Sequence, residues 1–212
     1  MTKKIMFKDK YCLTQAVLSG TKTMTRRVLT LTLDKKVAGK LTRVYPSKVF
    51  FDNGKWLFDL DGKTYLLPKE NYPRYNVGEV VAVIQPYKDI VDYMAEYNDI
   101  MLKRKNVPFR EFAAGWSDKR FVKAAFMPHH IRITDIKVER LQDISDEDIM
   151  REGVWQFYDN ELFYVSQNIG YAPTVAFPSA RLAFWYLIDK ISGKGTWERN
   201  PWVAAYSFEL VD

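Results

Sequence analysis

Cysteine and histidine are scarce in this chain of 212 residues, and their scarcity excludes several classes of site. Cys12 is the one cysteine, so an intrachain disulfide framework, a cysteine-rich zinc site and a CxxC redox centre are excluded. The two histidines, His129 and His130, are adjacent, and adjacent ligands rarely converge on one metal ion. We therefore expect neither a bound metal nor another cofactor.

Long apolar runs and the short motifs of common enzymes are also missing. No apolar run approaches the ~20 residues of a membrane span, and residues 1–7 lack the apolar core of a signal peptide. No Walker loop, GxGxxG, HExxH, GxSxG or EF-hand loop occurs. These absences predict a soluble, cytoplasmic protein without a membrane partner.

The residues that are present suffice for a folded core and carry an uneven charge. Hydrophobic residues make up 47% of the chain and aromatic residues 15%, enough for a globular domain. The net charge is +6, but residues 1–70 hold fifteen Lys and Arg against six Asp and Glu, and residues 141–212 hold five against eleven. The basic part either forms a face that binds a polyanion or is neutralised by the acidic part.

Periodicity and turn residues predict strands with a few helices between them. Strands are predicted at 4–7, 48–51, 55–60, 63–67, 80–84, 131–141 (with a bulge near Asp135) and 202–210. Helices are predicted at 10–19, 89–105, 145–152 and 178–191. Residues 21–27 read as a polar turn and 153–174 as an irregular insertion. Because no βαβ alternation occurs, the pattern favours a small β-barrel or twisted sheet decorated by helices, in the α+β class.

Four segments carry most of the functional information. In chain order they are Gly20-Thr21-Lys22-Thr23-Met24-Thr25-Arg26-Arg27, Tyr75–Val83, Ile131–Gly153 and Trp197–Leu210. In this order they resemble the ASCH domain family, whose fold is similar to the PUA domain, and above all the longer ASCH proteins of phages and prophages. The resemblance covers residues 4–30, 72–86, 126–153 and 178–211. It implies one PUA-like β-barrel domain over 1–212, with insertions at about 41–67, 88–125 and 154–175.

The resemblance also implies a basic cleft around the Gly-x-Lys-Thr-x-Thr-x-Arg turn. ASCH domains are proposed to bind RNA or other nucleic acid. Here Lys22, Arg26 and Arg27 would contact phosphate, for which the guanidinium fork is geometrically suited. Thr23 would lie in the same cleft, and Thr25 and Glu152 would contact the base or its substituent. We therefore first expect a binding module. Its ligand would be a nucleic acid, with RNA as the first candidate, or a modified nucleoside or nucleotide.

One branch of the family leads to a second expectation. Its members are amidohydrolases that deacylate N4-acetylcytidine, which implies catalytic roles for Lys22, Thr25 and Glu152. A threonine hydroxyl needs a neighbour that takes its proton. A carboxylate such as Glu152 can act as that general base, and Lys22 can stabilise an oxyanion. This alternative is a metal-independent amidohydrolase acting on N4-acylcytidine-type nucleosides. A third alternative is a phage accessory protein with a protein partner.

The same residues also have a purely structural interpretation. Lys22 and Arg27 would then hold acidic residues across the cleft, and Thr23 and Thr25 would satisfy backbone groups in the turn. Glu152 falls at a helix C-terminus, where an acid is electrostatically unfavourable, so the sequence predicts a partner such as Lys22 or a ligand.

Four aromatic residues are assigned either to the core or to a binding surface, according to the segment in which they lie. Trp185 and Trp202 lie on patterned elements and are predicted to belong to the core. Trp155 and Tyr158 lie beside Glu152 in an irregular stretch and are candidates for stacking on a base.

Overall fold

The structure, a computed structural model, describes residues 2–31, 33–37, 40–90, 114–157, 161–168 and 174–212. It contains four α-helices: α1 (Leu13–Leu18), α2 (Asp146–Arg151), α3 (Ala180–Ser192) and α4 (Thr196–Arg199). Its strands are β1 (Lys4–Ile5), β2 (Met24–Val28), β3 (Asp34–Val37), β4 (Lys40–Arg43), β5 (Lys48–Asp52), β6 (Lys55–Leu60), β7 (Lys63–Leu66), β8 (Val80–Val83), β9 (His130–Arg140), β10 (Val154–Gln156), β11 (Phe163–Ser166), β12 (Thr174–Phe177) and β13 (Trp202–Leu210). The fold is α+β, and none of the helices in these residues is long and apolar enough to cross a membrane.

A five-stranded sheet in the order β1-β8-β9-β13-β2 forms the centre of the fold. β1 is parallel to β8, and the other neighbours are antiparallel. The long strands β9 and β13 pair over most of their length, with a register shift that leaves Thr134 between the paired residues Ile133 and Asp135. This irregularity confirms the predicted bulge near Asp135.

The predicted β-barrel is not closed in the part of the chain that the structure describes. β1 and β2 are the two edges of the central sheet and do not pair with each other. Both edges nevertheless border one cavity, and the Arg27 guanidinium on β2 donates to the carbonyl of Met6, just after β1, at 2.7 Å. A barrel needs a continuous hydrogen-bonded ladder around its circumference. Here the Arg27 side chain spans from β2 to the residues after β1. The space left between these two strands forms a cleft.

Two of the three predicted insertions contain regular sheets. In 41–67 the predicted meander is confirmed, since β5, β6 and β7 form an antiparallel sheet whose first turn contains Asn53 and Gly54 at positive φ. The prediction that 153–174 is irregular was wrong, because β10, β11 and β12 form a second antiparallel sheet. The helix predicted at 89–105 lies outside the described residues except for Asp89 and Ile90.

Helix α3 covers the central sheet and completes the main core. Its Ala183, Phe184 and Leu187 are buried together with Ile131 and Ile133 of β9. The Ser179 hydroxyl accepts from the backbone N–H of Leu182, and Gly193 follows the last turn at φ 103°. The helix predicted at 178–191 is confirmed, and its C-terminal end reaches the cleft through Ile191 and Ser192.

Candidate nucleic-acid interface

The segment predicted to be a polar turn is largely a strand. Met24–Val28 form β2, which pairs with β13 from Val28–Val203 to Met24–Ser207. Successive side chains of a strand point to opposite faces, so Thr25 and Arg27 share one face and Met24 and Arg26 the other. The turn prediction failed because three consecutive polar residues hide this alternation.

A buried ion pair joins Lys22 to Glu152. The two residues are 2% and 3% exposed, and Lys22 Nζ lies 2.8 Å from Glu152 Oε2. Nζ also donates to the carbonyls of Met24 at 2.7 Å and of Glu152 at 2.6 Å, so all three of its protons are used. Burial lowers the pKa of Lys22, and the attraction of Glu152 opposes that shift. Glu152, at the end of α2, thus has the cationic partner that its position predicts.

Arg26 connects three carboxylates in the same buried cluster. Its Nη2 lies 2.6 Å from Glu139 Oε1 and 2.8 Å from Asp148 Oδ2, and Nη1 lies 3.2 Å from Glu152 Oε1. Lys137 bonds Glu139 and Asp148 from the outer side at 2.9 and 3.2 Å. Burial alone lowers the pKa of Arg26, but the carboxylates outweigh it and the pKa is raised. Arg26 therefore stays charged and fully engaged.

Arg27 has no such neutralising partner. Its Nη2 donates to the Met6 carbonyl, and its guanidinium carbon lies 5.6 Å from the centre of the Phe7 ring. Among the described residues no carboxylate lies within ion-pair distance of it. Burial lowers the pKa of Arg27, although an arginine remains protonated under ordinary conditions. A partly buried, unneutralised guanidinium thus faces the cleft.

The cleft itself has a volume of about 520 Å³. Its lining includes seven basic side chains, from Lys4, Lys8, Lys22, Arg26, Arg27, Arg74 and Arg120, whereas no described lining residue is Asp or Glu. Tyr72, Tyr75 and Tyr206 add aromatic surface, the last two edge-to-face at 5.2 Å. The cleft combines positive charge with aromatic walls.

Not all seven cations are free to meet a ligand. Lys22 and Arg26 belong to the buried cluster, and Arg120 is paired with Asp118 at 2.5 Å. Lys4 donates to the carbonyl of Val122 at 2.8 Å. Among the described cations of the lining, Lys4, Lys8, Arg27 and Arg74 are not paired with a carboxylate, and they supply the positive charge that is available in the cleft.

The two threonines of the segment have different surroundings. Thr25 is 4% exposed and lines the cleft beside Lys22. Thr23 does not line the cleft. Its hydroxyl accepts from Arg151 Nε at 3.2 Å, and its backbone N–H donates to the Arg151 carbonyl at 3.0 Å. Thr23 therefore fastens the start of β2 to α2.

Of the two predicted stacking residues, Trp155 is described by the structure and does not line the cleft. Trp155 stacks on Tyr164 at 4.8 Å, contacts Phe157 at 4.7 Å, and donates from Nε1 to Ser166 Oγ at 2.9 Å. These contacts place it in the sheet of β10 to β12. Tyr158 lies outside the described residues.

Several cleft residues were missed by sequence reasoning. Lys8, Arg74 and Tyr72 lie in irregular segments with no periodicity that would orient them. Tyr75 and Tyr206 belong to the segments that carry the family resemblance, but nothing in one sequence shows that they meet. The Tyr206 hydroxyl accepts from the Arg74 backbone N–H at 2.8 Å, which joins the 72–75 loop to β13.

The described residues offer no evident site for a metal ion. They contain no group of three His, Cys, Asp or Glu side chains arranged to hold a metal ion. The carboxylates nearest the cleft, those of Glu139, Asp148 and Glu152, are turned to Arg26, Lys22 and Lys137.

Comparison with known proteins adds no relative. No family model, no curated protein and no solved structure matches this chain. The chemistry of the cleft therefore carries the functional argument.

Proposed function

We propose that the cleft between β1 and β2 binds either a nucleic acid, with RNA as the first candidate, or a nucleotide. The observation that carries this proposal is the lining of that cleft, which has basic residues not paired with a carboxylate, Arg27 above all, and no described acidic residue. Phosphate is the ligand that such a lining favours, since arginine and lysine bind it through charge-assisted hydrogen bonds.

Arg27 is the principal phosphate ligand in this proposal. Arg27 retains unneutralised charge while its position is fixed by the Met6 carbonyl and the Phe7 ring. A fixed guanidinium loses little conformational freedom when it binds an anion. Arg74 and Lys8, exposed at the rim, supply further contacts, and the tyrosines offer surface for a base.

Lys22, Arg26 and Glu152 support the cleft from behind. Their charges neutralise one another, as the ion-pair and hydrogen-bond distances show. We assign them the task of holding β2 against α2, so that Thr25 and Arg27 keep their orientation toward the ligand.

The proposal is tested by fluorescence anisotropy with labelled 12-nucleotide RNA and DNA of mixed sequence. Arg27→Gln should weaken binding at least about tenfold, because a hydrogen bond to a charged group is worth ~1.5–3 kcal/mol. Arg132→Gln is the matched control, since Arg132 is exposed on β9 and pairs with Glu209 outside the cleft. Equal effects of the two substitutions, or no binding to either nucleic acid, would contradict the proposal.

A second candidate function rests on Thr25 and its neighbour. The cleft is lined by Thr25 together with Lys22, whose pKa is lowered by burial, so a hydroxyl and an amine border the same space. In an amidohydrolase Thr25 would attack the acyl carbon, the C–N bond would break as the N4 amine leaves with a proton, and water would then release the acyl group from Thr25 as a carboxylic acid. Lys22 would stabilise the oxyanion, for which it would have to give up one of its three hydrogen bonds within the protein. Glu152 would be the general base, but both of its oxygens are bound to cations, so it would first have to leave one of them.

Hydrolysis of N4-acetylcytidine, followed by ultraviolet absorbance, tests this second candidate. Turnover that is lost in Thr25→Ala, Lys22→Ala and Glu152→Ala, with each variant checked for folding, would support it. A folded wild-type protein without turnover would leave the cleft as a binding site.

We also propose that the chain is an ASCH-type, PUA-like domain. The open five-stranded sheet with its cleft at β2 is compatible with that kinship, as are the confirmed strands β9 and β13 that carry two of the four family segments. A cytoplasmic location and the alternative of a protein partner stay predictions.

A further inference from the structure

The outer face of helix α3 carries a second groove, of about 420 Å³. Leu182, Trp185, Tyr186, Asp189 and Lys190 line it at the spacing of one helical face. The opposite face of α3 is already buried in the main core. The helix is thus apolar on two sides, and on the outer side Leu182 is 40% and Trp185 37% exposed.

The groove offers an aromatic wall with cations beside it. Phe177 and Tyr186 have their ring centres 5.2 Å apart, and Lys190 Nζ lies 5.3 Å from the Tyr186 ring centre. Lys194 lines the same groove. A flat apolar ring next to ammonium groups suits a stacked base followed by its phosphate.

Asp189 is the one carboxylate among the described residues that line this groove. It accepts from the backbone N–H groups of Gly195 at 2.8 Å and of Trp197 at 2.9 Å. These bonds hold the turn between α3 and α4. Lys190 and Lys194 outnumber Asp189 in the lining, so the formal charge of the groove is positive, as binding of a nucleic acid requires.

The groove and the basic cleft are lined by neighbouring residues of α3. Ile191 and Ser192 line the cleft and directly follow Asp189 and Lys190, which line the groove. Seven residues separate Trp185 from Ser192, about 10 Å along the helix axis. That distance equals roughly three stacked bases at ~3.4 Å each.

We propose that this groove binds single-stranded nucleic acid that continues out of the cleft, with a base stacked on Trp185. The inference rests on the proposed function of the cleft and extends it to a longer ligand. A mononucleotide or dinucleotide fits the cleft alone, whereas a strand of several nucleotides occupies both sites.

Calorimetric titration of unlabelled oligouridylates tests this inference. Wild type, Trp185→Ala and Trp185→Phe are each titrated with the dinucleotide pUpU and with a uridine dodecamer. Trp185→Ala should weaken dodecamer binding about tenfold and change dinucleotide binding by less than about twofold, whereas Trp185→Phe keeps most of the affinity. Phe51→Ala, which removes an exposed ring on β5 away from both sites, should leave both affinities unchanged.

The outcomes separate this inference from the proposed function. If Trp185→Ala binds the dodecamer as tightly as wild type, or loses affinity equally for both ligands, the groove is not a nucleic-acid site and the inference is overturned. An apolar peptide would then be the better occupant. If wild type binds neither oligonucleotide, the proposed function of the cleft is itself wrong.

Discussion

Arg26 and Arg27 are neighbours with the same side chain, yet their surroundings are opposite. Arg26 contacts three carboxylates, and Arg27 contacts a carbonyl and an aromatic ring. This difference arises because successive side chains of β2 lie on opposite faces of the strand. The Arg26 guanidinium is directed toward α2 and the Arg27 guanidinium into the cleft. The charge of Arg26 is therefore neutralised within the protein, whereas that of Arg27 is not.

The buried cluster predicts a large effect of Glu152→Gln on stability. The substitution keeps the shape of the side chain but leaves Lys22 and Arg26 with one carboxylate fewer in a site that water does not reach. Removing one partner of a buried ion pair typically costs ~3–5 kcal/mol. Urea denaturation should show a loss of that size. Glu209→Gln, which removes an exposed partner of Arg132, should change the free energy of unfolding by less than about 1 kcal/mol. A small effect of Glu152→Gln would mean that the cluster does not stabilise the fold.

Asp148 predicts how stability depends on pH. Burial raises the pKa of this carboxyl, but hydrogen bonds from Arg26 and Lys137 outweigh burial and hold the pKa below its ordinary value of 3.8. The unfolded chain therefore binds more protons than the folded one in this range, so the stabilisation is present above about pH 4 and is lost as the pH falls through the folded value. Unfolding free energies measured from about pH 6 downward should fall more steeply for wild type than for Asp148→Asn. Parallel curves for the two proteins would contradict this assignment, and the exposed Asp143→Asn serves as control.

Individual residues were predictable where a local rule applied. An acid at the C-terminus of a helix needs a cation, and Glu152 has Lys22. No local rule distinguishes Arg26 from Arg27, because their difference depends on a strand that consecutive polar residues conceal. Arg74 and Lys8 enter the cleft through long-range packing, which a single sequence does not encode visibly.

At the scale of elements, patterned segments were predictable and aromatic ones were not. The strands β5 to β9 and β13 and the helices α2 and α3 follow from periodicity, caps and turn residues. The strands β10 to β12 were missed because Trp155, Phe157, Phe163 and Tyr164 place large rings on both faces and so remove the alternation. Trp202 is buried as predicted, at 8% exposure, but the core assignment of Trp185 was wrong. Its position on a patterned helix did not reveal that α3 is apolar on two faces.

The junction after α2 predicts a further effect on stability. Gly153 has a φ of 103°, and a Cβ placed there would lie 3.0 Å from Leu13 Cδ2 and 3.7 Å from Lys22 Cδ. Gly153→Ala therefore combines backbone strain with crowding next to the buried lysine, and should cost about 1–3 kcal/mol. Gly62→Ala is the matched control, since Gly62 also has positive φ but nothing within 4 Å of its Cβ position. Thermal denaturation that gives equal losses for both variants would show that the packing at Gly153 is unimportant.

For the whole molecule, the uneven charge is neutralised in one place and left unneutralised in another. The acidic C-terminal part neutralises the basic part at Lys22 and Arg26, through Asp148 and Glu152. The same balance does not extend to Arg27 in the cleft. The sequence left a β-barrel and a twisted sheet open as alternatives because it shows strands but not which of them pair, and the described residues form an open sheet. The gap between β1 and β2 forms the cleft.

The salt dependence of RNA binding tests the central claim most directly. Dissociation constants of a 12-nucleotide RNA are measured between about 50 and 300 mM salt for wild type, Arg27→Gln and Arg132→Gln. Each phosphate neutralised on a single strand contributes about −0.7 to the slope of log affinity against log salt. We predict steep weakening for wild type, a slope shallower by about 0.7 for Arg27→Gln, and the wild-type slope for Arg132→Gln. Binding that is independent of salt, or identical slopes for all three proteins, would contradict a phosphate-binding cleft at Arg27.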